Sequence, residues 1–436
     1  MKKIRMALAM AAALCIAFAG CSNNSDNGVT STPTPTPQAN PLADKINGVG
    51  LVAPAVNPTL PEGTTDFVYV DSANKPNLMA LVFNYPSTDQ NGNTITLSAV
   101  IYMHKDLQTS KGKADFLLLY NRGTLLKSAT CPSEFGNQNE ANSLIGLKPK
   151  AIAICADYMG FGTSSTKDQA YCCGVLNARA SLDALRNAKK LLADKGYTWE
   201  DKLYNIGYSQ GGQTTIAVQK LVDTTKPYCD EITITKTFAG GGTYDMKVTA
   251  DESIKMTTPY APEYTLLCIY TYNALFDTGI KNDEKIFKDL TALKASKIFS
   301  NPGSAETFTS LPLSNWLQDI ILPKETSSVS KDGEWNKKLV NIYALDQACY
   351  WTPKATTHIS LFHASNDEIV PSKNSDALYD YLKKVGYNIA KVDNPSSSTT
   401  LEGDTYIKCE VTAPSPYPVH GYASSLWQAK VMAELN

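Results

Sequence analysis

The sequence lacks an excess of basic residues. Its 40 lysines and arginines stand against 42 aspartates and glutamates, and its pI is about 6.1. Outside the first few residues, no basic run is longer than a pair. Proteins that bind nucleic acid usually carry a basic patch and an elevated pI, so the composition predicts no nucleic-acid partner.

The sequence also lacks the spacings that mark metal and phosphate sites. It contains no Cys-x-x-Cys pair, which a structural zinc site would usually show. The glycine clusters Gly160-x-Gly162 and Gly240-Gly241-Gly242 have neither the full dinucleotide-binding spacing nor the Lys-Ser/Thr ending of a phosphate loop. We therefore expect neither a metal nor an organic cofactor.

The N-terminus has the character of a targeting segment. Lys2, Lys3 and Arg5 precede an apolar run over residues 6–19, which is too short to span a membrane as a mature helix. The run ends Phe-Ala-Gly-Cys at Cys21 and resembles the lipobox of bacterial lipoproteins. We predict a lipoprotein signal peptide over residues 1–20 with the lipid on Cys21; the alternative is an ordinary signal peptide cleaved nearby.

Residues 21–45 are rich in serine, threonine and proline, with a Thr-Pro repeat over residues 32–37. Such a segment cannot bury apolar area and predicts a semi-rigid tether. We expect an exported protein in the periplasm or at the cell surface, anchored to the outer membrane. Its membrane contact would be through the N-terminal lipid only.

The cysteines divide into two groups. Of the ten, Cys15 would leave with the signal peptide and Cys21 would carry the lipid. The others could form disulfides in an exported protein, and the sequence does not select a pairing. Cys155 lies in an apolar run and is predicted to be a buried free thiol. Cys172 and Cys173 are neighbours, so we expect different partners for each.

The order of apolar segments indicates the fold class. Two β-rich segments, Leu78–Tyr85 and Thr94–Met103, flank a hairpin signal at residues 89–93. Continuous apolar runs, typical of strands buried on both faces, cover residues 116–120, 151–155, 203–208, 232–239 and 359–363. Helical periodicity falls between them, at residues 176–192, 214–221 and 375–382. The alternation predicts an α/β fold with a mostly parallel sheet and helices on both faces.

One stretch interrupts the alternation. Residues 243–353 contain no clear buried strand but have helix-like pieces at 264–275 and 283–299. The stretch is too long for a loop, so we predict an inserted helical cap. The core would then comprise residues 46–242 and 354–436.

The strongest chemical signal is Gly207-Tyr208-Ser209-Gln210-Gly211-Gly212. It matches G-x-S-x-G, follows an apolar strand and precedes a helix, which is the context that a nucleophile elbow requires. The serine must sit on a strained turn, so small residues are needed two positions before and after it. The alternative is a chance match in a loop. The context favours Ser209 as a nucleophile.

A serine hydroxyl needs a base to take its proton. The chain has four histidines, His104, His358, His363 and His420. In folds with a nucleophile elbow of this kind, the acid and then the histidine follow the serine along the chain. His420 alone follows a plausible acid, and we expect it in a loop ahead of the last helix. His363 is expected to order the acid loop.

The acid should follow the strand that precedes the histidine segment. Asp367 heads an Asp-x-x-Val-Pro sequence after the run 359–363, and its carboxylate would fix the imidazole tautomer of His420. Glu368 is the alternative acid. Asp157 follows a strand that comes before the nucleophile, so a structural role is expected.

An oxyanion hole needs two N–H donors. One would be the amide of Gln210, which follows the nucleophile. The other should lie in the turn after the run 116–120, where we favour the amide of Thr124, with Gly123 next. Arg122 in the same turn would either bind an acidic substrate group or form a structural ion pair.

Three segments resemble the secretory lipase family, which includes fungal secretory lipases and secreted bacterial esterases that attack plant cell walls. They are Tyr-Ser-Gln-Gly-Gly at 208–212, Asp-Tyr-Met-Gly-Phe-Gly at 157–162 and the helical sequence at 178–186. The resemblance covers residues 116–436. It implies an α/β-hydrolase fold with a helical cap, a carboxylic ester substrate and the triad Ser209, Asp367 and His420.

Two features depart from the family pattern. Cys172 and Cys173 stand where relatives often have an aromatic or histidine segment, and Arg122 replaces a more usual histidine. Aromatic residues of the predicted cap either line a substrate pocket or form the cap core; they are Tyr260, Tyr264, Tyr270, Tyr272 and Trp316.

The sequence thus predicts a serine carboxylesterase or lipase that acts on a small-molecule or polysaccharide-linked ester. An exported serine aminopeptidase is the first alternative, because such peptidases share the triad and the elbow. A non-catalytic surface binding protein on the same fold is the second.

Overall fold

The structure, a computed structural model, describes residues 40–70, 77–126, 130–135, 145, 148–255, 262–278, 334–396 and 399–435. The predicted signal peptide, Cys21 and most of the predicted tether lie outside these residues. So do Tyr260, Trp316 and the helix-like piece at 283–299.

The described residues contain twelve strands, ten α-helices and two short 3-10 helices, Pro132–Glu134 and Gly162–Ser164. The strands are β1 Val68–Tyr69, β2 Leu78–Thr88, β3 Thr94–His104, β4 Lys113–Ala114, β5 Phe116–Asn121, β6 Ala151–Ala156, β7 Thr198–Trp199, β8 Leu203–Tyr208, β9 Lys236–Gly240, β10 Ile359–Ala364, β11 Ala390–Asp393 and β12 Thr405–Cys409. The helices are α1 Pro41–Ile46, α2 Lys105–Ser110, α3 Gly174–Asp194, α4 Gln210–Thr224, α5 Tyr228–Glu231, α6 Met246–Lys255, α7 Pro262–Phe276, α8 Glu334–Tyr343, α9 Lys373–Lys384 and α10 Val419–Glu434.

Ten of the strands form one sheet in the order β1-β2-β3-β6-β5-β8-β9-β10-β12-β11. The first three pairings, up to β3 with β6, are antiparallel. All pairings from β6 to β11 are parallel. The predicted antiparallel hairpin and the mostly parallel sheet are therefore confirmed. Strands β4 and β7 form a separate parallel pair.

The central strands are buried on both faces, as their apolar sequences predict. In β5, Leu117 and Leu119 belong to one hydrophobic cluster, while Phe116 and Leu118 belong to another. Successive side chains of a strand point to opposite faces, so the two clusters lie on the two sides of the sheet. Helices α3 and α4 contribute to the first cluster and α10 to the second.

Two strand predictions are corrected. The run at 232–239 is a strand only from Lys236 onwards; Ile232 and Ile234 are apolar because they are buried in the first hydrophobic cluster, without pairing in the sheet. Strand β11 was not predicted. It lies at the sheet edge with largely exposed residues and the sequence Ala-Lys-Val-Asp, so it shows no apolar run.

The predicted tether is too long at its C-terminal end. Residues 41–46 form helix α1, whose N-cap Asn40 accepts a hydrogen bond from the amide of Ala43. Ile46 is buried in the first hydrophobic cluster. The apolar positions of α1 therefore pack on the core, which a tether would not do.

The described parts of the insertion contain helices joined by turns and no strand. Helices α6, α7 and α8 fall between residues 243 and 353, and α7 contains the predicted helical piece at 264–275. A helical cap over the whole stretch stays a prediction, because residues 279–333 lie outside the description. None of the described helices combines the length and apolar character needed to cross a membrane.

All eight cysteines from Cys131 onwards are free thiols. Cys155 is buried in β6, as predicted. The disulfides that an exported protein could form are therefore absent among these residues, and Cys172 and Cys173 have no disulfide partner.

Candidate active site

Ser209 lies on the turn between β8 and α4, with φ 60° and ψ −127°. A positive φ is uncommon for residues other than glycine and indicates local strain. A Cβ atom at Gly207 would lie 2.4 Å from the carbonyl oxygen of Gly211, and one at Gly211 would lie 2.1 Å from that of Asn121. Only glycine fits these two positions, so the motif reflects the geometry of the turn.

His420 faces the serine. Its Nε2 lies 2.9 Å from Ser209 Oγ, and its Nδ1 lies 2.6 Å from Asp367 Oδ2. An ionised carboxylate only accepts hydrogen bonds, so Nδ1 carries the proton and Nε2 is left to accept the serine hydroxyl. One expectation is corrected: His420 is the second residue of α10 rather than part of a loop, because the helix begins at Val419.

Asp367 follows β10 with its side chain fully buried. Its Oδ1 accepts hydrogen bonds from the amides of Ile369 (3.0 Å) and Val370 (2.8 Å). Burial by itself would raise the pKa of Asp367, but hydrogen bonds from His363 and His420 outweigh it and hold the pKa well below its ordinary value. The carboxylate is therefore ionised at neutral pH.

His363 holds the acid loop, as expected from its position. Its Nε2 donates to the carbonyl of Val370 at 2.9 Å, and its Nδ1 lies 2.6 Å from Ser375 Oγ. Because a carbonyl only accepts, Nε2 carries the proton and Ser375 donates to Nδ1. The same Nε2 is 3.5 Å from Asp367 Oδ2, so His363 ties the strand, the acid and the start of α9 together.

The remaining candidates for base and acid have partners other than Ser209 or the imidazole of His420. His104 caps α2 by accepting from the amide of Asp106, and His358 lies 3.3 Å from Asp404. Glu368, the alternative acid, contacts the backbone amide of His420 rather than its ring.

The predicted oxyanion turn runs beside the elbow. A Cβ atom at Gly123 would lie 3.6 Å from the carbonyl oxygen of Tyr208. The side chain of Thr124 fixes this residue, because its Oγ1 donates a hydrogen bond to Tyr171 Oη at 3.3 Å. Gln210 is the first residue of α4, so the helix ladder does not use its amide. The turn and the helix start thus flank Ser209, and the roles of their amides stay predictions.

Arg122 is a structural residue. Its guanidinium is buried, donates to the carbonyls of Asp157 and Gly123, and lies 4.4 Å from the ring centroids of both Tyr158 and Phe161. Burial lowers its pKa. Neither predicted role, an acidic substrate contact or a side-chain ion pair, fits these contacts.

Asp157 is structural, as expected. Its carboxylate accepts from Ser98 Oγ at 2.5 Å and from the amide of Ser133 at 2.8 Å. Burial raises its pKa. Asp157 thus holds the loop that Arg122 also binds. Its carboxylate makes no hydrogen bond to the triad residues among these contacts.

Two aromatic residues support the imidazole and were not predicted. The ring centroid of Tyr208 lies 5.1 Å from that of His420, and Trp427 lies 5.6 Å from Tyr208. Tyr208 occupies a variable position of G-x-S-x-G, and Trp427 lies two turns along α10. The motif therefore carries no signal for either.

The described aromatic residues of α7 connect the insertion to the core. Tyr270 Oη donates to Asp168 at 2.6 Å, while Tyr272 Oη donates to the carboxylate of Asp346 and lies 3.2 Å from the carbonyl oxygen of Cys172. Tyr264 lies with its ring centroid 6.4 Å from that of Tyr171. Tyr270 and Tyr272 are buried, so these two belong to the packing between α7 and the core.

The sequence matches no family model and no curated protein sequence. The structure, in contrast, resembles many solved structures across most of its length. The chain has the α/β-hydrolase fold. This confirms the fold class predicted from the alternating strands and helices and from the position of the elbow.

Three of these solved structures show the extent of the likeness. The ligand-bound rice cell wall degrading esterase LipA from Xanthomonas oryzae has a TM-score of 0.65 and 18% identity, with 84% of this chain and 94% of that chain covered. A candidate hydrolase from Legionella pneumophila has a TM-score of 0.64 and 18% identity, with 85% and 97% covered. Candida antarctica lipase A in its closed state has a TM-score of 0.54 and 14% identity, with 85% of each covered. A cell wall degrading esterase and a lipase are thus among the neighbours, in agreement with the resemblance of the sequence motifs.

Proposed function

We propose that this α/β-hydrolase cleaves carboxylic esters through an acyl-enzyme on Ser209. The observation that carries the proposal is the continuous hydrogen-bonded chain from Ser209 Oγ to His420 Nε2 (2.9 Å) and from His420 Nδ1 to Asp367 Oδ2 (2.6 Å). A serine, a histidine and a buried carboxylate in this order are the parts that acyl transfer needs. The esterase and lipase among the structural neighbours favour an ester over a peptide substrate.

The reaction follows from the proton positions. Ser209 Oγ attacks the ester carbonyl while His420 Nε2 accepts its proton. Asp367 stabilises the imidazolium that forms, and His420 then returns the proton to the leaving alcohol. Water attacks the acyl-enzyme by the same route and releases the acid and Ser209.

The negative charge of the tetrahedral intermediate needs donors at the elbow. The amide of Gln210 at the start of α4 is one, supported by the helix dipole. The amide of Thr124 is the second, with that of Gly123 as the other candidate in the same turn. The hydrogen bond from Thr124 Oγ1 to Tyr171 supports Thr124, because it restricts the rotation of that residue.

Parallel assays test the ester assignment. The purified protein should hydrolyse p-nitrophenyl acetate and leave aminoacyl p-nitroanilides intact, and Ser209→Ala should abolish ester hydrolysis. A fluorophosphonate probe should label the wild-type protein and not the Ser209→Ala variant. Anilide cleavage without ester cleavage would instead support a peptidase, and a folded protein that the probe does not label would support a binding protein.

We also propose that the enzyme is exported and lipid-anchored at Cys21, with residues 1–20 removed. The supporting observations are the basic start, the short apolar run and the Phe-Ala-Gly-Cys sequence that ends at Cys21. Cells fed a labelled fatty acid should incorporate the label into the wild-type protein and not into Cys21→Ala. A labelled Cys21→Ala protein, or an unlabelled wild type in the soluble periplasmic fraction, would contradict the anchor.

A further inference from the structure

The helix that carries His420 begins without a conventional cap. Helix α10 has Pro418 at its N-cap position, and proline makes no side-chain cap hydrogen bond there. The first amides of a helix have no acceptor within the helix. His420 is the second helical residue, so its backbone N–H needs an acceptor from elsewhere.

Glu368 supplies that acceptor. Both of its carboxylate oxygens lie 3.4 Å from the backbone nitrogen of His420. A negative charge is favourable at this end of a helix, because the helix dipole is positive there. The carboxylate thus caps α10 from a different part of the chain.

The cap and the acid of the triad are adjacent residues. Asp367 binds the His420 ring at Nδ1, and Glu368 binds the His420 backbone amide. The loop that carries both is itself fixed, because Asp367 Oδ1 accepts two loop amides. His420 is therefore held at two points, its ring and its backbone amide. These contacts restrict both the position of its backbone and the rotation of its ring.

We propose that Glu368 is a positioning residue for the ester hydrolysis inferred above. It sets the distance between His420 and Ser209 by capping the helix that carries His420, and it does not itself touch the reacting atoms. The proposal rests on that function, since it needs Ser209 and His420 to act together. Glu368, the alternative acid predicted from the sequence, thereby has a different role.

The test compares two nearly isosteric substitutions. Glu368→Met keeps the volume and removes the acceptor, whereas Glu368→Gln keeps one acceptor oxygen. Because small displacements of catalytic groups cost up to about 100-fold in rate, Glu368→Met should lower kcat on p-nitrophenyl acetate and the rate of fluorophosphonate labelling about 10- to 100-fold, with KM little changed. Glu368→Gln should stay within about threefold of wild type on the same grounds. The control is Glu410→Ala, which removes an exposed carboxylate just after β12 and should match wild type.

A second-site variant keeps the test decisive if Glu368→Met folds poorly. Serine is a preferred N-cap residue, so Pro418→Ser should restore a cap and recover most of the rate in the Glu368→Met background. Wild-type labelling by Glu368→Met, or a loss in Glu368→Gln as large as in Glu368→Met, would overturn the role as acceptor. A wild-type protein that is labelled but cleaves no ester would refute the ester assignment alone. The role of Glu368 would still be tested, because it is judged from the labelling rates of the variants relative to the wild type.

Discussion

Replacement of Asp367 by asparagine should change the tautomer of His420. The asparagine oxygen must take the place of Oδ1, because that position accepts the amides of Ile369 and Val370. Its NH2 group then faces His420 Nδ1, which must become the acceptor. The proton of the neutral imidazole moves to Nε2, where it points at Ser209 Oγ and prevents the ring from acting as a base.

The size of the effect follows from the same exchange in a serine protease triad. There the wrong tautomer lowers kcat about 10⁴-fold, which corresponds to about 5 kcal/mol of transition-state stabilisation. The shape of the side chain is conserved, so KM should change little. The assay is steady-state hydrolysis of p-nitrophenyl acetate, with fluorophosphonate labelling as a measure that does not depend on the substrate.

The matched control is Asp376→Asn. Asp376 forms ion pairs with Lys408 and Lys391 near β12 and β11, so its exchange removes the same charge without touching the triad. It should retain wild-type kcat. An Asp367→Asn protein that keeps more than about a tenth of the wild-type kcat would refute the change of tautomer, because a wrong tautomer costs far more than that.

Three further predictions concern the elbow, the acid loop and a buried carboxyl. Gly211→Ala should lower the free energy of unfolding by about 1–3 kcal/mol and abolish activity, since the new Cβ would lie 2.1 Å from the Asn121 oxygen; Gly421→Ala, whose Cβ meets Pro418 at an ordinary 3.5 Å, is the control in the same unfolding and ester assays. His363→Phe should cost about 1–3 kcal/mol in urea unfolding by removing partners of the buried acid loop, and unchanged stability would contradict this role. Burial raises the pKa of Asp183 to about 6, above its unfolded value of about 3.9, so its contribution to stability is complete below about pH 4 and is lost as the pH rises through about 6. Asp183→Asn should make that decline smaller than in the wild type in urea unfolding, and a decline of unchanged size would show that other groups cause it.

The sheet was predictable because its central strands are buried on both faces. A strand such as β6 is then apolar along its whole length, and the signal survives in a single sequence. Strand β11 had no such signal, because an edge strand exposes most of its residues. Helix α1 was missed for a related reason: its short amphipathic sequence directly follows a proline-rich tract, and only Ile46 is buried among its residues.

The nucleophile and the base were predictable for different reasons. Ser209 is marked by glycines that the turn requires sterically, and His420 is marked by chain order among few histidines. Arg122 was not predictable, because an arginine in a turn near an active site has the same sequence signal whether it binds a substrate or stacks on Tyr158 and Phe161. Its donors are directed at backbone carbonyls, which have no residue-specific signal.

The sequence does not distinguish Asp367 from Glu368 as the acid of the triad, whereas the backbone geometry of their loop does. The two carboxylates are adjacent, and either could follow the strand that precedes the histidine. Asp367 is short enough for its Oδ1 to accept the amides two and three residues further on, and this local turn leaves Oδ2 facing His420. Glu368 has one more methylene group and reaches past the ring to the backbone amide of His420. The length of each side chain, set against the same short loop, therefore assigns orientation of the imidazole to one carboxylate and placement of its helix to the other.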